Sequence, residues 1–88
     1  MTRPENLLEF PCTFPLKAIG KNTADFESFV VAVARNHIPQ LNESGISSRP
    51  SNGDKYLGVT ITFTAESQQQ LDALYQELSS SERVLMLL

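Results

Sequence analysis

The feature that most constrains this chain is a stretch in which apolar and small polar side chains alternate. Between residues 55 and 65, one parity carries Leu57, Val59, Ile61 and Phe63, and the other carries Tyr56, Gly58, Thr60, Thr62 and Thr64. Because successive side chains of a strand point to opposite faces, this pattern predicts a strand with one face on a core. The second face carries no charge between Tyr56 and Thr64, and it is a candidate working surface.

Size and composition place the chain among small globular proteins. Its 88 residues suffice for one core, and an apolar share of 41% with 19% charged residues is ordinary for a folded domain. Ten acidic against seven basic residues leave a net charge of −3, which argues against nucleic acid as a partner. Cys12 is the only cysteine, which excludes an internal disulfide and a cysteine-based zinc site. The polar N-terminus and short apolar runs predict a cytoplasmic protein without a membrane partner.

The first half of the chain reads as a strand, a helix and a weaker strand. Residues 13–20 alternate, with Phe14, Leu16 and Ala18 on one face and Pro15, Lys17 and Ile19 on the other. A helix is expected to begin near Asn22 or Thr23, either of which can cap it, and to end at Pro39. Its apolar face is Phe26, Phe29, Val30 and Val33. Residues 44–51 predict an edge strand, because Pro50 cannot donate to a sheet ladder.

The second half continues with a turn, the strong strand, a helix and a last strand. Residues 52–54, Asn-Gly-Asp, are typical of a hairpin turn because Asn and Gly tolerate positive φ. Ser67 and Gln70 fit a capping box at the start of the second helix, which the serine run at 79–81 should end. Residues 83–88 then read as a strand that is apolar on both faces.

The order strand, helix, strand, strand, helix, strand predicts an α+β fold of the ferredoxin-like βαββαβ type. Right-handed crossovers give a four-stranded antiparallel sheet of order 4-1-3-2 with both helices on one face. Residues 1–12 form an N-terminal arm, and residues 13–88 form the single domain. Strand four lies at an edge, so either Leu85 and Leu87 or Val84, Met86 and Leu88 should pack inward. The remaining row would be covered by the arm, a second copy or another protein.

No group of residues in the sequence predicts catalysis, a metal site or a cofactor. His37, the sole histidine, has no acidic or thiol neighbour at useful spacing, and Cys12 has no basic neighbour that would activate it. The turn Gly20, Lys21, Asn22 and Thr23 joins a strand to a helix N-terminus and could hold an anion, but it lacks the glycine spacing of phosphate loops. We therefore predict a protein that is not an enzyme.

Docking of a protein partner, or self-association, is the function that this pattern favours. The candidate contacts are Lys17, Ile19, Tyr56, Thr60, Thr62 and Met86, all placed on the open face or on strand four by parity. RNA binding is disfavoured because one aromatic, Tyr56, is too few for a stacking platform, and Lys17, Arg49 and Lys55 are few cations.

Several segments resemble the YbeD-like family of small bacterial proteins. They are residues 7–11, Phe14, Lys17, Gly20, residues 49–51, Lys55 and Tyr56 with residues 59–61, Leu74 and Tyr75 with Glu77 and Leu78, and residues 84–88. The resemblance implies a ferredoxin-like domain similar in topology to ACT domains, which regulate amino-acid metabolism. Family members are often labelled regulators of lipoate metabolism, and no catalytic or ligand residues carry over. An ACT-like effector, an amino acid or a lipoate-related molecule, would bind at Gly20, Lys21 and Asn22, although the Pro-Gly pattern of many ACT domains is missing there.

Overall fold

A computed structural model describes residues 9–88. Four strands and two α-helices follow one another along this part of the chain. They are β1 (Cys12–Lys21), α1 (Phe26–His37), β2 (Ile46–Pro50), β3 (Tyr56–Ala65), α2 (Gln68–Ser79) and β4 (Val84–Leu87). Short 3-10 turns at Glu43–Gly45 and Asn52–Asp54 lie on either side of β2. The predicted order of elements is therefore confirmed, and the predicted arm lies largely outside the described residues, with Cys12 already in β1.

The strands form one antiparallel sheet in the order β2-β3-β1-β4, as predicted. Its register pairs Leu16 with Ile61 and Ala18 with Val59, so the apolar parities of β1 and β3 share one face. That face meets the apolar sides of both helices in a single core, whose largest fully buried side chains include Phe26, Leu16, Ile61, Leu74 and Leu78. Burying such side chains stabilises the fold by about 1.5–3 kcal/mol each. This is the predicted ferredoxin-like arrangement, with one sheet face covered by helices.

Helix α1 begins at Phe26, three residues later than the sequence predicts. Asn22 and Thr23 are not its caps; Asp25 occupies the N-cap position, without a side-chain capping bond. Asn22 instead donates its side-chain amide to the Asp54 carbonyl across 3.1 Å, and Thr23 Oγ1 donates to Asp25 Oδ1 at 3.1 Å. Asn22 is thus used for a tertiary contact, which sequence spacing cannot reveal, and Thr23 for a local one with the N-cap residue. The helix ends at His37, next to Ile38 and Pro39, as predicted.

The start of α2 has one bond of the predicted capping box, while the reciprocal bond comes from the residue before the N-cap, and Gln70 adds a link to α1. Ser67 Oγ accepts from the Gln70 amide at 3.1 Å, and Gln70 Oε1 accepts from the Glu66 amide at 2.8 Å. Gln70 Nε2 also donates to the carbonyl of His37 at 2.9 Å. One side chain therefore satisfies an amide at the start of α2 and a carbonyl at the end of α1.

The side chains of β4 that pack inward belong to neither of the two predicted rows alone. Leu87 pairs with Ala18 and Met86 with Ile19, but Val84 pairs with Gly20 because the register shifts between Ile19 and Gly20. A bulge of this kind inserts one unpaired residue, here Leu85, and changes the parity of the strand. Val84 and Leu87 consequently pack against the core from opposite sides of the bulge.

Candidate docking surface

The face of the sheet opposite the helices is uncovered among residues 9–88. The register arranges its side chains in rows that run across the four strands. One row runs Arg49, Gly58, Ile19, Met86, and the next runs Ser47, Thr60, Lys17, with Leu88 joined to Lys17 by two backbone hydrogen bonds. We call these eight residues the open-face patch. Four of the predicted contacts, Lys17, Ile19, Thr60 and Met86, lie together in it.

The two remaining predicted contacts lie beside this patch on the same face. Tyr56 pairs with Lys21 at one end of β3, and its side chain is exposed. Thr62 pairs with Pro15 one row beyond Thr60, and it is also exposed. Tyr56 is the only aromatic residue of the described strands with open-face parity.

Charge is distributed unevenly between the two sides of the molecule. None of the four strands contains an Asp or Glu, whereas Lys17, Lys21 and Arg49 have open-face parity. The exposed carboxylates of the helical layer include Asp25, Glu27, Asp72 and Glu77, with Glu43 in the turn before β2. Although the net charge is −3, the open sheet face is therefore cationic.

Gly58 allows the side chain of Lys17 to approach the sheet closely. A Cβ added to Gly58 would lie 2.7 Å from Lys17 Cε and 3.7 Å from the carbonyl oxygen of Arg49. The end of the Lys17 side chain therefore lies over Gly58 on the neighbouring strand β3, with Nζ 3.6 Å from the position of that Cβ. Lys17, Arg49, Gly58 and Thr60 line, with Ser47 and Ser48, a shallow cavity of about 330 Å³.

The opposite side of the open-face patch is apolar. Met86 is 53% exposed and Leu88 is 61% exposed, and Ile19 beside them is half-buried. Leu85, in the bulge, is 55% exposed. Tyr56 is the one other large apolar side chain that is exposed among residues 9–88, so exposed apolar area is concentrated on β4. An edge strand of this kind is a typical place for association.

An ion pair between Asp25 and Arg83 lies just after the predicted effector turn. Arg83 donates to both carboxylate oxygens of Asp25, at 2.6 and 3.2 Å, and to Thr23 Oγ1 at 3.0 Å, while its guanidinium lies 4.9 Å from the centre of the Phe29 ring. The hydrogen bonds from Arg83, followed by the one from Thr23, lower the pKa of Asp25 below its usual value. Gly20 is buried, and only Lys21 and Asn22 of the three predicted effector residues are exposed.

His37 has an acidic partner, contrary to the sequence-based expectation. Its Nε2 lies 2.6 Å from Glu77 Oε1, a residue 40 positions later on α2. Sequence spacing could not show this pair, because it forms only when the two helices pack against each other. Burial raises the pKa of Tyr75 on the same helix. Within residues 9–88, no three His, Cys, Asp or Glu side chains are grouped as a metal site would require.

Other clefts lie away from the open-face patch. One of about 560 Å³ lies between α1 and β2, with Glu27, Arg35 and Glu43 among its lining residues, and Glu27 accepts a hydrogen bond from Ser48 at 2.7 Å. Another of about 320 Å³ lies near Leu41 and Thr62. In residues 9–88, no helix has the length and apolar character needed to cross a membrane.

Comparison with known proteins agrees with this architecture. The family described as "Protein of unknown function (DUF493)" matches residues 5–88. A UPF0250 protein of Neisseria gonorrhoeae is 43% identical over the full length of both chains, and one of Leptothrix cholodnii is 41% identical over 98% of this chain and 94% of its own. The solution structure of HP0495 from H. pylori is similar with a TM-score of 0.68, covering 100% of this chain and 97% of that one, and its 14% identity makes it a match of fold. The chain therefore belongs to the DUF493 family of UPF0250 proteins, which is the YbeD-like family that its sequence resembles.

Proposed function

We propose that this chain is a non-enzymatic interaction module that docks a protein partner on its open-face patch and on the edge of β4. The observation that carries the proposal is the concentration of exposed apolar side chains at Leu85, Met86 and Leu88, beside a sheet face that no described element covers. A regulatory role follows if docking changes the activity of the partner.

Two contributions to binding are available at this surface. Burying the exposed parts of Met86 and Leu88 would contribute about 1 kcal/mol or more each, since full burial of such side chains contributes about 1.5–3 kcal/mol. The second contribution is hydrogen bonding by backbone amide and carbonyl groups at the free edge of β4. Lys17 and Leu88 exchange both of their backbone hydrogen bonds, so the alternation of an antiparallel ladder directs the amide and carbonyl of Leu87 outward. Those groups could pair with an extended segment of the partner.

The test uses the full chain as bait, followed by binding measurements with the purified partner that it captures. Met86→Glu should weaken the purified complex by about tenfold or more, because it removes apolar contact and places a charge in it. Gln69→Glu is the matched control, since Gln69 is exposed on α2 in the helical layer. Circular dichroism and thermal melting establish that both variants fold.

Two results would overturn the proposal. One is a complex that tolerates Met86→Glu and Leu88→Glu but is lost on substitution of the helical layer. The other is a chain that remains monomeric and captures no partner whose purified form binds it. Light scattering over a range of concentrations distinguishes a second copy of the chain from a different protein.

A small-effector sensor is the second candidate, and one observation favours it. A cavity of about 270 Å³ lies at the turn between β1 and α1, lined by Lys21, Thr23, Phe26, Glu82, Arg83 and Leu85. Its volume is slightly below the range of about 300–1,000 Å³ that is typical of ligand sites. Thermal-shift measurements with amino acids and lipoate test this candidate. An effector should raise the melting temperature of the wild type and not that of Lys21→Ala, whereas unchanged melting with every compound refutes it.

A further inference from the structure

The division of the open-face patch into a cationic side and an apolar side constrains what can cover it. Along one row, Arg49 and Gly58 on β2 and β3 are followed by Ile19 and Met86 on β1 and β4. Arg49 and Ile19 are separated by two strand spacings, which is about 10 Å. An occupant must therefore present apolar side chains on one side and negative charge about 10 Å away.

From this complementarity we infer that the partner segment is an acidic amphipathic helix, seated with its apolar stripe on Ile19, Met86 and Leu88 and its carboxylates towards Lys17 and Arg49. The inference rests on the proposed docking function and names the chemistry of the partner. A helix with its side chains is about 10–12 Å wide, so one helix over β1 and β4 reaches the cations at its flank.

The helical form of the occupant follows from the way sheets are covered. An open sheet face is buried in folded proteins by helices or by a second sheet, and this sheet already packs two helices on its other face. Gly58, Thr60 and Ser47 leave the β2–β3 side of the patch shallow, whereas Met86 and Leu88 stand out from β4. An amphipathic helix fits this profile, because its apolar stripe meets β4 and its polar flank lies over the shallow side.

A second copy of the chain does not satisfy the same requirements. A two-fold dimer through this face places the Lys17 and Arg49 side of one copy opposite either the same side or the apolar side of the other copy, depending on the axis. The first arrangement sets like charges against one another, and the second buries the cations against apolar side chains. No strand contributes an Asp or Glu that could neutralise them.

Nucleic acid meets the charge requirement but not the apolar one. Lys17, Lys21 and Arg49 could contact phosphates, but Met86 and Leu88 would face a charged backbone, and Tyr56 alone has an aromatic ring to offer a base. The acidic protein segment is the occupant that uses both sides of the patch.

The experiment compares three probes in amide chemical-shift titrations of the full chain. The first is a synthetic helix with leucines along one face and glutamates beside them, the second is its twin with lysine at each glutamate position, and the third is a single-stranded oligouridylate. The acidic helix should shift the amides of Lys17, Ile19, Gly58 and Met86, and the lysine twin should bind at least about tenfold more weakly. Salt at about 1 M, where the screening length is about 3 Å, should remove most of that difference.

Variants locate the charge recognition on the sheet. Arg49→Glu should weaken binding of the acidic helix by about threefold to tenfold, because a favourable exposed pair is replaced by a repulsive one. Lys55→Glu makes the same change of charge in the hairpin turn, outside the patch, and should have little effect. Arg49 is exposed, so the folded state should tolerate the substitution.

The inference is overturned if the acidic helix shifts no open-face amide, if both helices bind equally, or if oligouridylate binds this face more tightly than either. These results are separable from failure of the proposed function. If the acidic helix fails while Met86→Glu still disrupts the purified natural complex, the docking function stands and the acidic partner is wrong. If Met86→Glu also has no effect there, both are wrong.

Discussion

Two buried strand glycines offer a matched test of the packing described above. Gly20 lies on the core side of β1, opposite Leu57 and Val84, and Gly58 lies on the open side of β3, opposite Ile19. Both are buried, so composition and burial alone predict similar effects for Gly20→Ala and Gly58→Ala. The structure instead predicts that Gly20→Ala destabilises the fold much more than Gly58→Ala does.

The atoms that the new methyl group would meet determine the difference. At Gly20 it would collide with the backbone carbonyl of Arg83 and lie 2.5 Å from Cε1 of Phe26, a fully buried ring. Neither can move without displacing β4 or the core. At Gly58 it would meet Cε of Lys17 at 2.7 Å, near the end of a flexible side chain that can rotate away.

The expected loss for Gly20→Ala is about 2–2.5 kcal/mol in the free energy of unfolding. Overpacking costs about 1–3 kcal/mol, and contact with backbone and a buried ring puts this site near the upper end. Reduced freedom of the unfolded chain offsets about 0.5 kcal/mol. For a chain of this size, whose total stability is about 4–13 kcal/mol, the melting temperature should fall by about 10–20 °C. Gly58→Ala should change stability by less than about 0.5 kcal/mol.

Urea unfolding followed by circular dichroism, with thermal melting in parallel, measures both variants against the wild type. The slope of the unfolding free energy against urea should stay constant, so that the midpoints report stability. If the two variants lie within about 0.5 kcal/mol of each other, the close approach of β4 and Phe26 to Gly20 is refuted.

Three further substitutions test other parts of the fold. Gly53→Ala should lower the free energy of unfolding, measured by chemical denaturation, by about 1 kcal/mol. Gly53 has φ of 79°, and a Cβ there would meet no atom within 4 Å, so backbone strain is the sole cause of the loss. Gln70→Ala should lower the free energy of unfolding by about 1–2 kcal/mol, because it removes two hydrogen bonds to backbone groups. Gln69→Ala makes an equal change at an exposed position of α2 and should lower it by less than about 0.5 kcal/mol. Equal losses would contradict the link between the two helices. Because Arg83 lowers the pKa of Asp25, that carboxylate stabilises the folded state above its ordinary pKa, and the contribution disappears as the pH falls through the lowered value. Unfolding measured from pH 7 down to pH 2 should therefore show Asp25→Asn less stable than the wild type near neutrality and the two converging in acid, and a constant difference would refute the pairing.

The open-face patch was predictable in part from parity. Alternation along β1 and β3 is enough to put Lys17, Ile19 and Thr60 on one face, and the order of elements is enough to put β4 beside β1. The sequence identified Arg49 only as one of three cations, with Lys17 and Lys55, that could lie on the same face. The position of the Lys17 side chain over Gly58, in the cavity that Arg49 also lines, depends on the register of three strands, which no local pattern encodes.

The sequence by itself determined the helices, the strands, their order and the family, because each depends on short-range periodicity or on residues that can be matched in order. The tertiary structure alone decided which side chains of β4 face inward, since a bulge beside Gly20 shifts the register within a strand of four residues. It also decided the pairs Asp25 with Arg83 and His37 with Glu77, which are 58 and 40 positions apart. Such contacts form only after distant segments have packed, and their partners are chosen by the geometry of the whole core.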